Sequence, residues 1–142
     1  MNEAEYQAEV QRWLKYVQED LRAAESFLGQ PSVAPRHICF LSQQSVEKCL
    51  KSVLIFEQVD FPYRHDLDQL RNLIPVDWQI REDYPDLAEL TEWAVESRYP
   101  GNWVDPTDED ARIAVEQARG VWESIRRDFL QRGFEVVALA PP

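Results

Sequence analysis

The segment from Phe40 to Leu54 constrains the fold more than any other part of the sequence. Its apolar and polar residues recur with the 3.6-residue period of an α-helix. Four apolar residues fall on one face of this predicted helix and are expected in a core: Val46, Leu50, Val53 and Leu54. Three polar residues fall in line on a second face: Gln44, Lys48 and Lys51. The pattern predicts a helix that packs on one side and carries chemical groups on the other.

Similar patterns predict the remaining helices. The expected order is a first helix over residues 3–28, the second over 35–57, a short third over 66–73, a fourth over 84–97, and a last helix that follows Thr107. Thr107 is predicted to cap this last helix, whose first turn is acidic. Prolines and a glycine make residues 98–106 a predicted loop.

No segment within residues 1–132 has the two-residue period of a strand. The sequence therefore predicts an all-α fold, an up-and-down four-helix bundle with an additional short helix. The apolar stripes of the first and last helices are expected to pack in this bundle. A chain of 142 residues favours a single domain, assigned to residues 1–132. Residues 133–142 form a β-prone tail that packs on the bundle, mediates self-association or is disordered.

Charge and cysteine content limit the class of protein. The net charge of −11 repels nucleic-acid backbones, so tight unspecific binding is disfavoured, although a local basic pocket stays compatible. A simpler interpretation of the acidity is solubility alone. Cys39 and Cys49 lie ten residues apart on one predicted helix, about 15 Å, which is too far for a disulfide. We expect reduced core thiols.

The sequence also bears on location. The acidic N-terminal residues lack the features of a signal peptide, and no apolar run approaches the roughly 18 residues of a membrane span. We therefore expect a cytoplasmic protein that does not engage a membrane.

An up-and-down bundle brings a set of reactive side chains to one end. His65, Arg98 and Tyr99 are expected to be neighbours there, with Lys51 reaching toward them. Arginine binds phosphate, histidine exchanges protons near neutral pH, and tyrosine supplies a hydroxyl or a stacking surface. These groups are suited to metal-independent cleavage of RNA. His65 and Arg98 are the candidate catalytic residues, and Lys48, Lys51 and Tyr99 the candidate substrate- or nucleotide-binding residues.

Each candidate also has a structural interpretation. His65 is adjacent to Asp66 and is suited to capping the third helix, and Arg98 is suited to pairing with the many carboxylates. Glu47 and Lys51 have the spacing of a helical ion pair. Lys48 fits a subunit interface as well as a substrate site. No metal site or cofactor is predicted, because the sequence has no glycine-rich phosphate loop, nucleophile elbow or CxxC pair, and only two histidines.

Three groups of residues resemble the HEPN family of small helical proteins, over roughly residues 5–130. The matching residues are Gln44, Glu47, Lys48 and Lys51, then His65-Asp66-Leu67, then Arg98-Tyr99-Pro100. The resemblance implies a helical bundle, a homodimer and a minimal nucleotidyltransferase as partner in a toxin–antitoxin pair. Tyr99 is the nearest analogue of the tyrosine that such a partner adenylates in some members of the family.

One motif of the family is missing. Many members are ribonucleases with an arginine four to six residues before a histidine, but neither His37 nor His65 has an arginine at those positions. The leading hypothesis is therefore a nucleotide- or RNA-associated component of a toxin–antitoxin pair. The alternatives are a toxin ribonuclease with a rearranged Arg98 and His65 site, and a helical adaptor without a small ligand.

Overall fold

The computed structural model describes residues 2–63, 65–96 and 104–142, and these contain six helices and no strand. In chain order they are α1 (Glu3–Phe27), α2 (Pro35–Phe56), α3 (Leu67–Leu73), α4 (Ile80–Asp83), α5 (Ala88–Glu96) and α6 (Asp108–Gln131). The predicted all-α class is confirmed. The expected number of helices is not confirmed. The described residues contain two short helices, α3 and α4, where one was predicted. No described helix is long and apolar enough to cross a bilayer.

Helix α2 is the central element of the fold. It packs against α1 along most of its length and against α6, α5 and α3 on its other sides. The predicted core residues Val46, Leu50, Val53 and Leu54 are all buried. The apolar residues of α1 and α6 belong to the same core. These two helices make little direct contact, because α2 lies between them over much of their length. Both cysteines are free and buried as expected, and burial raises the pKa of the Cys39 thiol to about 12.

The two long outer helices begin with matching caps. At α6 the Thr107 hydroxyl accepts from the Asp110 N–H at 3.1 Å, while the Asp110 carboxylate accepts from the Thr107 N–H at 2.9 Å. Asn2 and Glu5 form the same reciprocal arrangement at α1. These bonds satisfy amide groups that have no partner within a helix. The predicted cap at Thr107 is confirmed.

The predicted start of the fourth helix at Tyr84 is wrong. Tyr84 instead ends the short helix α4, with φ −135° and ψ 75°, because the following Pro85 disfavours helical geometry at the residue before it. Asp68 of α3 accepts the N–H of Leu87 at 2.9 Å, and the chain becomes helical only at Ala88. Tyr84 then packs its hydroxyl against Gly120 of α6, where a β-carbon would lie 1.4 Å away.

The C-terminal tail packs on the bundle. Phe134 is buried in an aromatic cluster with Phe56 and Phe129, in which ring centroids lie 5.1–5.4 Å apart. Residues 135–140 then run along α1. The side-chain amide of Gln11 donates to the carbonyl of Glu135 and accepts the N–H of Val137, at 2.8 and 3.1 Å.

Gln18 repeats this arrangement one step further along the tail. Its amide donates to the carbonyl of Val137 at 3.0 Å and accepts the N–H of Leu139 at 3.2 Å. Arg22 then binds the carbonyl of Ala140 at 2.8 Å. The pattern matches one edge of a β-ladder, with glutamine side chains in place of the peptide groups of a neighbouring strand.

Candidate functional site

A polar row on α2 is formed by Gln43, Glu47 and Lys51, each four residues from the next. Steps of four residues turn a helix by only about 40°, so these side chains follow one another along the same side. The predicted row of Gln44, Lys48 and Lys51 shares Lys51 with this buried row. Gln44 supports the observed row from outside, because its amide donates to the Gln43 oxygen at 2.7 Å.

Glu47 is the centre of this row. Its side chain is only 6% exposed and has three polar partners. Gln43 donates to Oε1 at 3.1 Å, Lys51 donates to Oε2 at 3.1 Å, and the Nδ1 atom of His65 lies 2.7 Å from Oε1. Burial alone would raise the pKa of Glu47, but the bonds from Gln43 and His65 and the charge of Lys51 together lower it. Glu47 is thus an ionised carboxylate at neutral pH.

His65 is held at the edge of this cluster. Its side chain is 44% exposed, and its Nδ1 contact with Glu47 fixes the orientation of the ring. A carboxylate at Nδ1 favours the proton on that nitrogen, which leaves Nε2 to accept a proton or to bind a ligand. The capping role suggested for His65 belongs to Asp66, whose carboxylate accepts the Gln69 N–H at 3.1 Å.

Lys51 is buried beside the same carboxylate. Its side chain is 8% exposed, and its Nζ atom lies 5.8 Å from the ring centroid of Phe61 and 5.5 Å from that of Tyr63. Tyr63 is fully exposed. The lysine charge is therefore balanced by Glu47 and lies within cation–π distance of both rings. The predicted helical pair of Glu47 and Lys51 is confirmed.

Lys48 has a separate set of contacts. Its Nζ atom lies 2.6 Å from the Asp20 carboxylate and 5.9 Å from the centroid of the Tyr16 ring. Asp20 and Tyr16 both belong to α1, so Lys48 joins α1 to α2, whereas Lys51 faces the segment that follows α2. Arg98 and Tyr99, the other predicted site residues, lie outside the described residues.

The cluster thus combines a buried carboxylate, an oriented imidazole and an exposed aromatic ring. Glu47 and Tyr63 were not among the predicted site residues. The four-residue spacing of Gln43, Glu47 and Lys51 was the available signal for the buried row. Within the described residues, no group of three or more His, Cys, Asp or Glu side chains is placed to hold a metal ion.

Comparison with known proteins gives one match. A family model described as HEPN domain matches residues 10–128, which includes α2, His65 and most of α6. Neither a curated protein nor a solved structure matches the chain significantly.

Proposed function

Because the chain belongs to the HEPN domain family, we propose that it is a nucleotide- or RNA-associated component of a toxin–antitoxin pair. It acts as a homodimer with a minimal nucleotidyltransferase as partner, and the ligand phosphate binds at His65. The observation that carries the proposal is the 2.7 Å contact between Glu47 and His65. The buried carboxylate orients a half-exposed imidazole, and an oriented, accessible ring nitrogen suits a group that binds a ligand.

The charges around His65 indicate how the phosphate is bound. Glu47 balances the charge of Lys51, so Lys51 contributes little net attraction for an anion. Glu47 holds Nδ1 of His65, so Nε2 is the ring nitrogen directed away from the carboxylate, and it is proposed to contact a phosphate oxygen. Arg98 and Tyr99 are proposed to complete the site, as the sequence suggests. Because the chain charge of −11 repels anionic ligands, binding should be modest.

Ligand binding by the full chain tests this proposal. Titration calorimetry with AMP and fluorescence polarisation with a short single-stranded RNA should detect binding to the wild type. His65→Ala should weaken binding of both probes. His37→Ala is the matched control, because His37 is an exposed histidine in the first turn of α2. Equal loss in both variants, or no binding by the wild type, would count against the site.

The nucleotidyltransferase partner requires a separate test. A nucleotidyltransferase co-expressed with the tagged chain should co-purify with it and should reverse any growth arrest that the chain causes. Absence of a complex together with absence of any effect on growth would argue against the toxin–antitoxin role and in favour of a helical adaptor.

A second function, metal-independent cleavage of RNA, is favoured by the geometry of the same pair. An imidazole oriented by a carboxylate is suited to take the proton from a 2′-hydroxyl, whose oxygen then bonds to phosphorus while the P–O5′ bond breaks. The departing 5′-oxygen takes a proton from the imidazolium or from water, and Arg98 is proposed to stabilise the charge on phosphorus. RNA cleavage in EDTA should then be lost in His65→Ala and Arg98→Ala and retained in His37→Ala. No cleavage, at concentrations that produce RNA binding, would leave binding as the function of the site.

A further inference from the structure

Among the described residues, Tyr63 is the most exposed aromatic side chain next to the proposed site. It is 100% exposed, and the ammonium of Lys51 lies 5.5 Å from the centroid of its ring. Resting on the proposed function, we propose that Tyr63 is a stacking surface for the nucleobase of a ligand whose phosphate lies at His65. The chemical class of ligand is thus a phosphate ester with an unpaired base, supplied by a free nucleotide or by single-stranded RNA.

The position of Lys51 supports stacking at Tyr63. Glu47 holds the ammonium through a 3.1 Å bond, and the Phe61 ring lies 5.8 Å from it. The lysine is therefore fixed and interacts with the Tyr63 ring, while the full exposure of Tyr63 leaves ring surface accessible to a ligand. Isolated exposed aromatic residues are common on protein surfaces, but this ring adjoins an ordered buried ion pair and an oriented histidine.

The distance between the two groups fits the ligand class. Tyr63 and His65 are two residues apart, and the α-carbons of such residues lie at most about 7 Å from each other. His65 contacts Glu47 and Tyr63 lies beside Lys51, so both side chains border the same ion pair. A ligand that carries a planar group and an anion in one unit, as a nucleotide does, is suited to touch both. Stacking tolerates any base, because every base has a π-face. The site should consequently distinguish ligands that carry a base from ligands that do not, without distinguishing one base from another.

The test compares ligands and variants in the full chain. The probes are AMP, ribose 5-phosphate and an octanucleotide of single-stranded RNA. Tyr63→Ala should weaken binding of AMP or RNA by about fivefold or more, the effect of losing one stacked base. It should leave ribose 5-phosphate unaffected, and Tyr63→Phe should bind all probes as the wild type does. A loss limited to AMP or to RNA would support the inference and identify the source of the base.

Tyr16→Ala provides the matched control. Tyr16 of α1 is 46% exposed, and its ring centroid lies 5.9 Å from the Nζ atom of a lysine of α2. That lysine is Lys48, which pairs with Asp20 and not with Glu47. This variant should bind every probe as the wild type does.

The outcomes separate the two proposals. Unchanged AMP and RNA binding in Tyr63→Ala, with loss in His65→Ala, would overturn the stacking role and leave the proposed function intact. An equal loss of ribose 5-phosphate binding in Tyr63→Ala would also overturn it, because the base would then not be the group recognised. Failure of the wild type to bind any probe would overturn both proposals.

Discussion

Glu47 and His65 are joined by a 2.7 Å contact between the carboxylate oxygen Oε1 and the imidazole Nδ1, although 18 positions separate them in the sequence. The contact fixes the segment after α2 against the middle of that helix. The other oxygen of the same carboxylate accepts from Lys51. One buried negative charge therefore holds two elements of the candidate site together.

Removal of the Glu47 charge should destabilise the fold. In Glu47→Gln the buried Lys51 ammonium loses its counter-charge, and the free energy of unfolding should fall by about 3 kcal/mol in urea titrations. The double variant Glu47→Gln with Lys51→Met removes both charges and should recover part of this loss. Glu109→Gln, in an exposed pair with Arg112, is the control and should change stability little. A double variant less stable than Glu47→Gln would contradict this account.

Stability should depend on pH through the same carboxylate. The pKa of Glu47 in the folded chain lies below its ordinary value of 4.5, so its contribution is complete above about pH 4.5 and is lost as pH falls through the folded pKa. The stability advantage of the wild type over Glu47→Gln should therefore be present at about pH 7 and shrink at about pH 3.5. Urea unfolding of both proteins measures it, and the comparison cancels the other carboxylates. A stability advantage of the wild type that grows on acidification would show that folding does not lower the pKa of Glu47.

Gly120→Ala should destabilise the chain although alanine favours helices. The new β-carbon would lie 1.4 Å from the Tyr84 hydroxyl, so the ring must move, at a cost of about 1–3 kcal/mol. This cost should exceed the helical gain of about 1 kcal/mol. In a Tyr84→Ala background the same substitution should become neutral or stabilising. Thermal unfolding of the four proteins gives the coupling, and an equal effect of Gly120→Ala in both backgrounds would disprove the steric explanation.

The glutamine side chains on α1 should protect specific amides of the tail from hydrogen exchange. Gln18→Ala removes the acceptor for the Leu139 N–H, and exchange there should accelerate by about fivefold, the equivalent of 1 kcal/mol. Gln11→Ala should do the same at Val137. Exchange at Ala138, for which no hydrogen bond occurs within the described chain, should stay fast in all proteins. Gln7→Ala, at an exposed glutamine of α1, is the control. Faster exchange at Val137 or Leu139 in this variant would mean that the tail detaches for other reasons.

Local sequence signals predicted the long helices well. The ends of α1 and α2 differ from the prediction by one residue, because caps, prolines and apolar periodicity act within a few residues. The start of α5 was missed, since it depends on Pro85 and on a bond from the Leu87 N–H to Asp68, 19 residues away. Docking of the tail likewise depends on Gln11 and Gln18, more than one hundred residues earlier in the chain.

The candidate site was predicted in part. Helical spacing was sufficient to predict the pair of Glu47 and Lys51. It could not show that His65 returns to the same carboxylate, because that contact depends on the path of the chain after α2. The neighbourhood of His65 and Arg98 stays a prediction, since Arg98 lies outside the described residues.

Because of the way in which the tail is bound, proline should be tolerated only at alternate positions along residues 136–139. Val137 and Leu139 donate their N–H groups to Gln11 and Gln18, and proline has no such group. Proline at either position would therefore weaken docking, whereas Val136 and Ala138 donate no hydrogen bond within the described chain. The two prolines at 141–142 follow the last bonded residue, where the missing donors have no consequence. Docking of residues 137–139 thus requires an amide hydrogen at every second residue.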